Sequence, residues 1–234
     1  MTNNKLDIRV YPIDEPKSNT KAFASVAVDD LIAIRGVRVV EGEKGLFVTM
    51  PQSQDKKTNE YHDIAFPLTK ELRNEITSGV LAEYEATANL DPKQRRYDKA
   101  EKGSAADIDI SAVKLDVRVY PIGEPQGNTK AFASVAVDDL IAIRGIRVVE
   151  GEKGPFVTMP QSQDKDKKYH DVAFPIAGDL RKEISKAILG EYKAMDKSAE
   201  KSLANGLKRG TEKAAETPAA PKETAAKKAP GLGG

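Results

Sequence analysis

Cysteine and tryptophan are absent from the 234 residues, and histidine occurs only twice. Without cysteine there is no disulfide framework, no thiol nucleophile and no Cys-based zinc or iron–sulfur site, which fits a reducing compartment. No apolar run approaches the ~18 residues needed to span a bilayer. The opening residues, MTNNKLDIRV, lack the basic and apolar regions of a secretory signal. A cytoplasmic protein without membrane association is therefore expected. Charge of one sign is also missing: 37 Lys+Arg face 36 Asp+Glu, a net charge of +1. That balance excludes a uniformly basic nucleic-acid coat. Hydrophobic residues make up 39%, few enough that part of the chain is expected to stay out of any core.

What the chain does contain is an internal repeat. Leu6–Ile13 returns as Leu115–Ile122, and Asn19–Gly36 returns letter for letter as Asn128–Gly145. Between Leu6–Asp55 and Leu115–Asp164, 44 of 50 positions are identical. The offset is 109 up to Asp55 and 108 from Tyr61/Tyr169, so the second copy is one loop residue shorter. A period this long is that of two complete small domains rather than of solenoid units. The expected division is a first domain at 5–86, a charged flexible linker at 87–113, a second domain at 114–195, and a disordered Ala/Lys/Pro-rich tail at 196–234. The composition of that tail buries too little surface to offset its ordering entropy.

Within a copy, Leu6, Ile8 and Val10 alternate with Asp7, Arg9 and Tyr11, the period of a strand. Further strands are expected over Lys21–Val28, Leu31–Val40 and Leu46–Met50, with tight turns at Asp29-Asp30 and Glu41–Gly45. Gly36 interrupts the third strand and marks a bulge or bend. A polar loop, Gln52–Glu60, leads to a short extended segment, Tyr61–Phe66, ended by Pro67. Leu72, Ile76, Val80 and Tyr84 then recur every fourth residue, as do Leu180, Ile184, Ile188 and Tyr192, the pattern of an amphipathic helix. Thr69 is the expected N-cap, with Glu71 favourable in the first turn. The fold class is therefore α+β: two tandem small domains, each an antiparallel sheet with one C-terminal helix packed on it. A domain of about 80 residues has a small core, and pairing through a sheet edge relieves that while covering the edge.

Three ordered blocks are present twice: Arg38–Gly42, Phe47–Pro51 and His62–Pro67, repeated at Arg147–Gly151, Phe156–Pro160 and His170–Pro175. In this order, before the helix, they resemble the SpoVG (stage V sporulation protein G) family of bacteria. The resemblance covers Leu6–Tyr84 and Leu115–Tyr192. It implies a small α+β domain that dimerises through its sheet and binds DNA or RNA as a regulator of septation- and sporulation-type genes. It also implies nucleic-acid contacts from basic residues in the loop after Met-Pro, here Lys56 and Lys57 in one copy and Lys165, Lys167 and Lys168 in the other. Many members carry a Lys-Arg pair there, whereas this chain has Gln-Ser-Gln. The mechanism expected of the loop is phosphate neutralisation with counterion release.

Other basic residues have two readings. Arg35 and Arg38, with Arg144 and Arg147, sit on opposite strand faces by parity. A bulge at Gly36 brings them to one face as a binding surface, and cross-strand ion pairs are the alternative. In the linker, Pro92–Lys102 sets Tyr97 among Lys93, Arg95, Arg96, Lys99 and Lys102, either as a phosphate- and base-gripping segment or as ordinary solvated charge. His62-Asp63 and His170-Asp171 lack both the converging ligands of a metal site and the placed nucleophile of a catalytic one. No catalytic residue, cofactor or metal is expected. Two functions remain open: a non-enzymatic nucleic-acid-binding regulator whose repeats pair within the chain or through sheet edges between chains, or a protein-interaction adaptor in cell division.

Overall fold

The computed structural model describes residues 4–55, 58–91, 95, 109–123, 127–164 and 166–195. Contacts divide the chain into Met1–Lys193 and Ala194–Gly234, and both repeats belong to the first unit. The expected disorder of the tail, most of the expected linker, and Lys56, Lys57, Lys165 and Arg96 lie outside the described residues.

The first repeat runs β1 (Leu6–Pro12), β2 (Thr20–Val28), β3 (Ile32–Gly42), β4 (Gly45–Thr49), β5 (Gln52–Gln54), β6 (Tyr61–Asp63), β7 (Ala65–Pro67) and α1 (Lys70–Ala88). The second repeats it as β8 (Leu115–Pro121), β9 (Thr129–Val137), β10 (Ile141–Gly151), β11 (Gly154–Thr158), β12 (Gln161–Gln163), β13 (Tyr169–Asp171), β14 (Ala173–Pro175) and α2 (residues 178–195). Strands β1 to β4 form an antiparallel meander, as do β8 to β11. The Asp29-Asp30 turn is tight as expected. Both aspartates adopt positive φ, the left-handed geometry that matches strand twist, and the Asp29 carboxylate accepts from the Lys5 amide at 2.6 Å.

Alternation sets the faces. Val10, Ala22, Ala24, Val26, Val28, Ile32, Ile34, Val37 and Val39 are buried on one side of the sheet. There α1 lays its apolar stripe, Leu72, Ile76 and Val80, each without exposed surface. The Thr69 hydroxyl accepts from the Leu72 amide at 3.2 Å, capping the helix as expected, and Glu71 sits in the first turn. Gly79 lets the helix approach β1 closely, because a Cβ there collides with Ile8. Leu180, Ile184 and Ile188 fill the same role in the second repeat.

Two expectations need correction. The Gln52–Glu60 segment is not all loop: β5 pairs with β6, Gln52 facing Asp63 and Gln54 facing Tyr61. Nor is Tyr61–Phe66 one extended segment, because the chain breaks at Ile64 and its two ends join different sheets. β7 leaves its own repeat and pairs with β10, Ala65 opposite Ile143 and Pro67 opposite Ile141. β14 returns the exchange on β3, Ala173 opposite Ile34 and Pro175 opposite Ile32. Backbone bonds extend both seams: Arg35 N–H to Val172 C=O and Arg144 N–H to Ile64 C=O, each 2.7 Å. The first helix also continues to Ala88, into the stretch expected to be linker.

Because each repeat completes the other's sheet, a protease cut engineered between residues 96 and 108 is expected to leave both halves in one complex on size exclusion. Ala173→Asp places a carboxylate at a position with no exposed surface, at an expected cost of about 3–5 kcal/mol. Urea unfolding measures that loss.

Candidate nucleic-acid interface

The site begins with a glycine. Gly36 has φ +77°, and the β2–β3 register jumps from Ala24/Val37 to Ser25/Arg35. A side chain in that left-handed conformation costs about 1–2 kcal/mol, so glycine suits the position. One extra residue in β3 reverses parity: Ile32 and Ile34 before it and Val37 and Val39 after it all face the core. Arg35 and Arg38 therefore share the outward face. Gly145, φ +74°, does the same for Arg144 and Arg147.

Each pair lies beside a seam between repeats. The Arg35 guanidinium stands 4.8 Å over the ring of Phe174 from the second repeat, and Arg144 stands 4.7 Å over Phe66 from the first. Such cation–π contacts are worth ~0.5–1 kcal/mol at exposed sites. A cavity of about 290 Å³ opens at the first seam, lined by Phe23, Arg35, Arg38 and Tyr61 together with Ser162 and His170 of the other repeat. Across the sheet, Arg38 is directly opposite Phe23, which is opposite Tyr11. Arg147, Phe132 and Tyr120 repeat that row.

The remaining expected residues separate. Lys167 and Lys168 are exposed at the tip of the second hairpin. Lys167 takes φ +61°, and the Lys168 amide donates to the Asp164 carboxylate at 2.8 Å. Arg95 turns inward: its guanidinium donates to the Leu90 and Ala88 carbonyls at the end of α1 and pairs with Asp14 at 2.5 Å. Only 7% of that side chain is exposed, so it closes a helix terminus. The His-Asp dipeptides brace the hairpins. Asp63 accepts from Gln52, and Asp171 from Gln161, both at 2.9 Å. Among the described residues no cluster of three His, Asp or Glu side chains suited to a metal ion occurs.

Two features escaped the sequence reading. The aromatic row carried a signal, since Tyr11 occupies the polar side of the alternating run Asp7, Arg9, Tyr11. The second is the outer face of α2, where Arg181, Lys182, Lys186 and Lys193 line a shallow open groove. At the matching positions α1 has Arg73, Asn74, Ser78 and Glu85. Lys182 and Lys186 are bonded to Asp179 and Glu183 at 2.8 and 3.6 Å, leaving a charged face peculiar to the second repeat.

Fold and site together define a duplicated α+β protein, two helix-backed sheets locked by reciprocal strand exchange with arginine pairs at the seams. The SpoVG family model matches residues 4–86 and 113–194. The chain belongs to the SpoVG family. A Symbiobacterium thermophilum protein bearing the name septation protein SpoVG is 40% identical over 94 residues, 40% of this chain and 67% of its own length. Proteins of the same name from Agathobacter rectalis and Archaeoglobus fulgidus are 40% and 38% identical over 78 and 81 residues. Those matches cover 33% and 35% of this chain and 88% and 94% of the relatives. Among the described residues no helix is long and apolar enough to cross a membrane.

The hairpin tip carries a titratable device. His170 Nε2 lies 2.7 Å from Asp164, and that hydrogen bond, helped by the Lys168 amide, holds the Asp164 carboxyl below its ordinary range. A carboxylate depressed in the folded state stabilises above its unfolded pKa, and the contribution is lost as pH falls through the folded value. His170→Ala is therefore expected to move the Asp164 midpoint upward in a carboxyl-carbon NMR titration. An unchanged midpoint contradicts the assignment.

Proposed function

We propose that the chain is a non-enzymatic nucleic-acid-binding regulator of the septation type, acting in the cytoplasm, in which two fused repeats do the work of two copies of a single-domain relative. The observation that carries this reading is the bulge at Gly36 and Gly145, which turns two arginines per repeat outward beside a seam that both repeats build. Arginine presents a planar, permanently charged fork suited to phosphate. Exposed Lys167 and Lys168 add positive charge at the second hairpin tip. The fusion reading is supported by length: the Agathobacter protein aligns over 78 residues that are 88% of it, about one repeat. Two repeats exchanging strands within one chain need no second chain to close their sheets. Affinity then comes from phosphate neutralisation and counterion release, with each neutralised phosphate adding about −0.7 to the salt slope on single strands and −0.9 on duplex.

The test is binding to random DNA and RNA pools at two salt concentrations, with light scattering on the same sample. Expected are retention at low salt, a slope made shallower by about 3 in the Arg35, Arg38, Arg144, Arg147→Gln variant, and a mass of one 25.4 kDa chain. No retention at low salt eliminates nucleic-acid binding and leaves the adaptor reading. A mass of obligate oligomers eliminates the fusion reading.

A further inference from the structure

The outward face of each sheet carries more than arginine. Its central row is Tyr11, Phe23, Arg38 and Thr49 on four adjacent strands, each directly opposite the next. Phe47, beside that row on β4, is also exposed. Phe23 and Phe47 have 47% and 45% of their surface in water, and Tyr61 at the seam has 63%. The second repeat displays Tyr120, Phe132, Phe156 and Tyr169 in the same way. Tyr11 and Phe23 sit opposite one another across β1 and β2, about 5 Å apart at Cβ, and Phe23 and Tyr61 line the same cavity, so the three exposed rings make a shared aromatic patch. Such a patch is costly to leave in water without an occupant.

Charge selects the occupant. The first repeat as a whole is acidic, with 11 Lys+Arg against 13 Asp+Glu between Lys5 and Tyr84. Yet Arg9, Arg35 and Arg38 all belong to the outward face, and carboxylates around it are held by Arg9 itself or by other cations. Asp7 is bonded to Arg9 at 3.0 Å and Asp171 to Arg181 at 2.5 Å. Lys21 and Glu41 pair with each other at 2.6 Å. Aromatic faces flanked by arginines in an otherwise acidic module suit a ligand that alternates flat rings with phosphates. Geometry selects its form. Four strands spaced about 4.8 Å apart make a face about 14 Å across before side chains, wider than the ~12 Å major groove of a duplex. The bases of a duplex also present edges rather than faces.

Resting on the nucleic-acid reading, we propose that the helix-free face of each sheet binds single-stranded nucleic acid, with unpaired bases stacking on Phe23 and Tyr11, and on Phe132 and Tyr120, while Arg35, Arg38, Arg144 and Arg147 hold the phosphates. Stacking on an aromatic side chain is tolerant of base identity, because every base presents a flat π-face. The two repeats offer two such platforms on one chain.

Because tryptophan is absent, Phe23→Trp and Phe132→Trp each install a single reporter in the full-length chain. Both are titrated with a 12-mer oligo(dT), a 12-mer oligo(rU) and a 12-base-pair duplex, while anisotropy of a label on the nucleic acid is followed in parallel. The expected result is tryptophan quenching by either single strand, at least tenfold weaker binding of the duplex, and a loss of about tenfold or more in single-strand affinity for Phe23→Ala/Phe132→Ala. Circular dichroism and thermal unfolding confirm that each variant folds. An anisotropy rise without quenching, equal affinity for duplex, or an alanine variant that binds as the parent overturns stacking and leaves the phosphate-binding reading standing. No anisotropy change with any probe at low salt overturns both.

Discussion

Everything in this molecule depends on an unequal pair of strands. β3 is eleven residues long and its neighbour β4 only five, so β4 covers Arg38–Gly42 and leaves the Ile32–Ile34 edge without a partner from its own repeat. Ile32 and Ile34 are buried, with 1% and 0% exposure, and buried backbone groups must find hydrogen bonds. β14 supplies them, and β7 supplies the same to β10. The shortfall in one repeat is thus met by the other, and the link is reciprocal. It also removes an open edge that would otherwise invite pairing with any passing strand.

The glycine bulge couples that architecture to the surface. Without it, β3 would point Arg38 inward with Ile34 and at the same time turn Val37 and Val39 out. With it, both halves of the strand bury their β-branched residues and both arginines emerge. Arg35 then serves two ends. Its amide bonds Val172 across the seam at 2.7 Å and its guanidinium covers Phe174. The same residue closes the seam and adds charge to the surface beside it. Substitutions there are expected to affect stability and binding together, which is why salt slope and ring quenching discriminate better than affinity alone.

Much of this was legible in the sequence. The alternation in Leu6–Pro12 and the four-residue recurrence of Leu72, Ile76 and Val80 report a half-buried strand and a helix stripe directly. Gly36 marked a bulge or bend, and the register shows that it is the bulge that brings Arg35 and Arg38 to one face. The exchanged strands were not legible. Three residues are too few for a period, and Ala65–Pro67 continues a run that begins at Tyr61, so the break at Ile64 left no trace. β5 was missed because Gln-Ser-Gln has no apolar alternation and is held by pairing and by the Gln52–Asp63 bond. Arg95 read as solvated or ligand-gripping, since no local pattern reveals that a distant Asp14 and the end of α1 will claim it. The aromatic face was hidden because Phe23 stands in a run of small residues whose orientation only the register reveals.

The repeats have kept the sheet nearly unchanged and diverged on the helix, where α2 gained lysines that α1 lacks. Near-identical strands and a freer outer helix face fit a fold whose stability resides in the exchanged sheets. Native-state hydrogen exchange tests that claim most directly, at the amides of Arg35 and Arg144, which donate across the seams to Val172 and Ile64. Both are predicted to exchange only through global unfolding, as slowly as core amides such as those of Val26 and Val135, at any protein concentration. Rapid exchange at these two amides, or protection that grows with concentration, would contradict an exchange made within one chain.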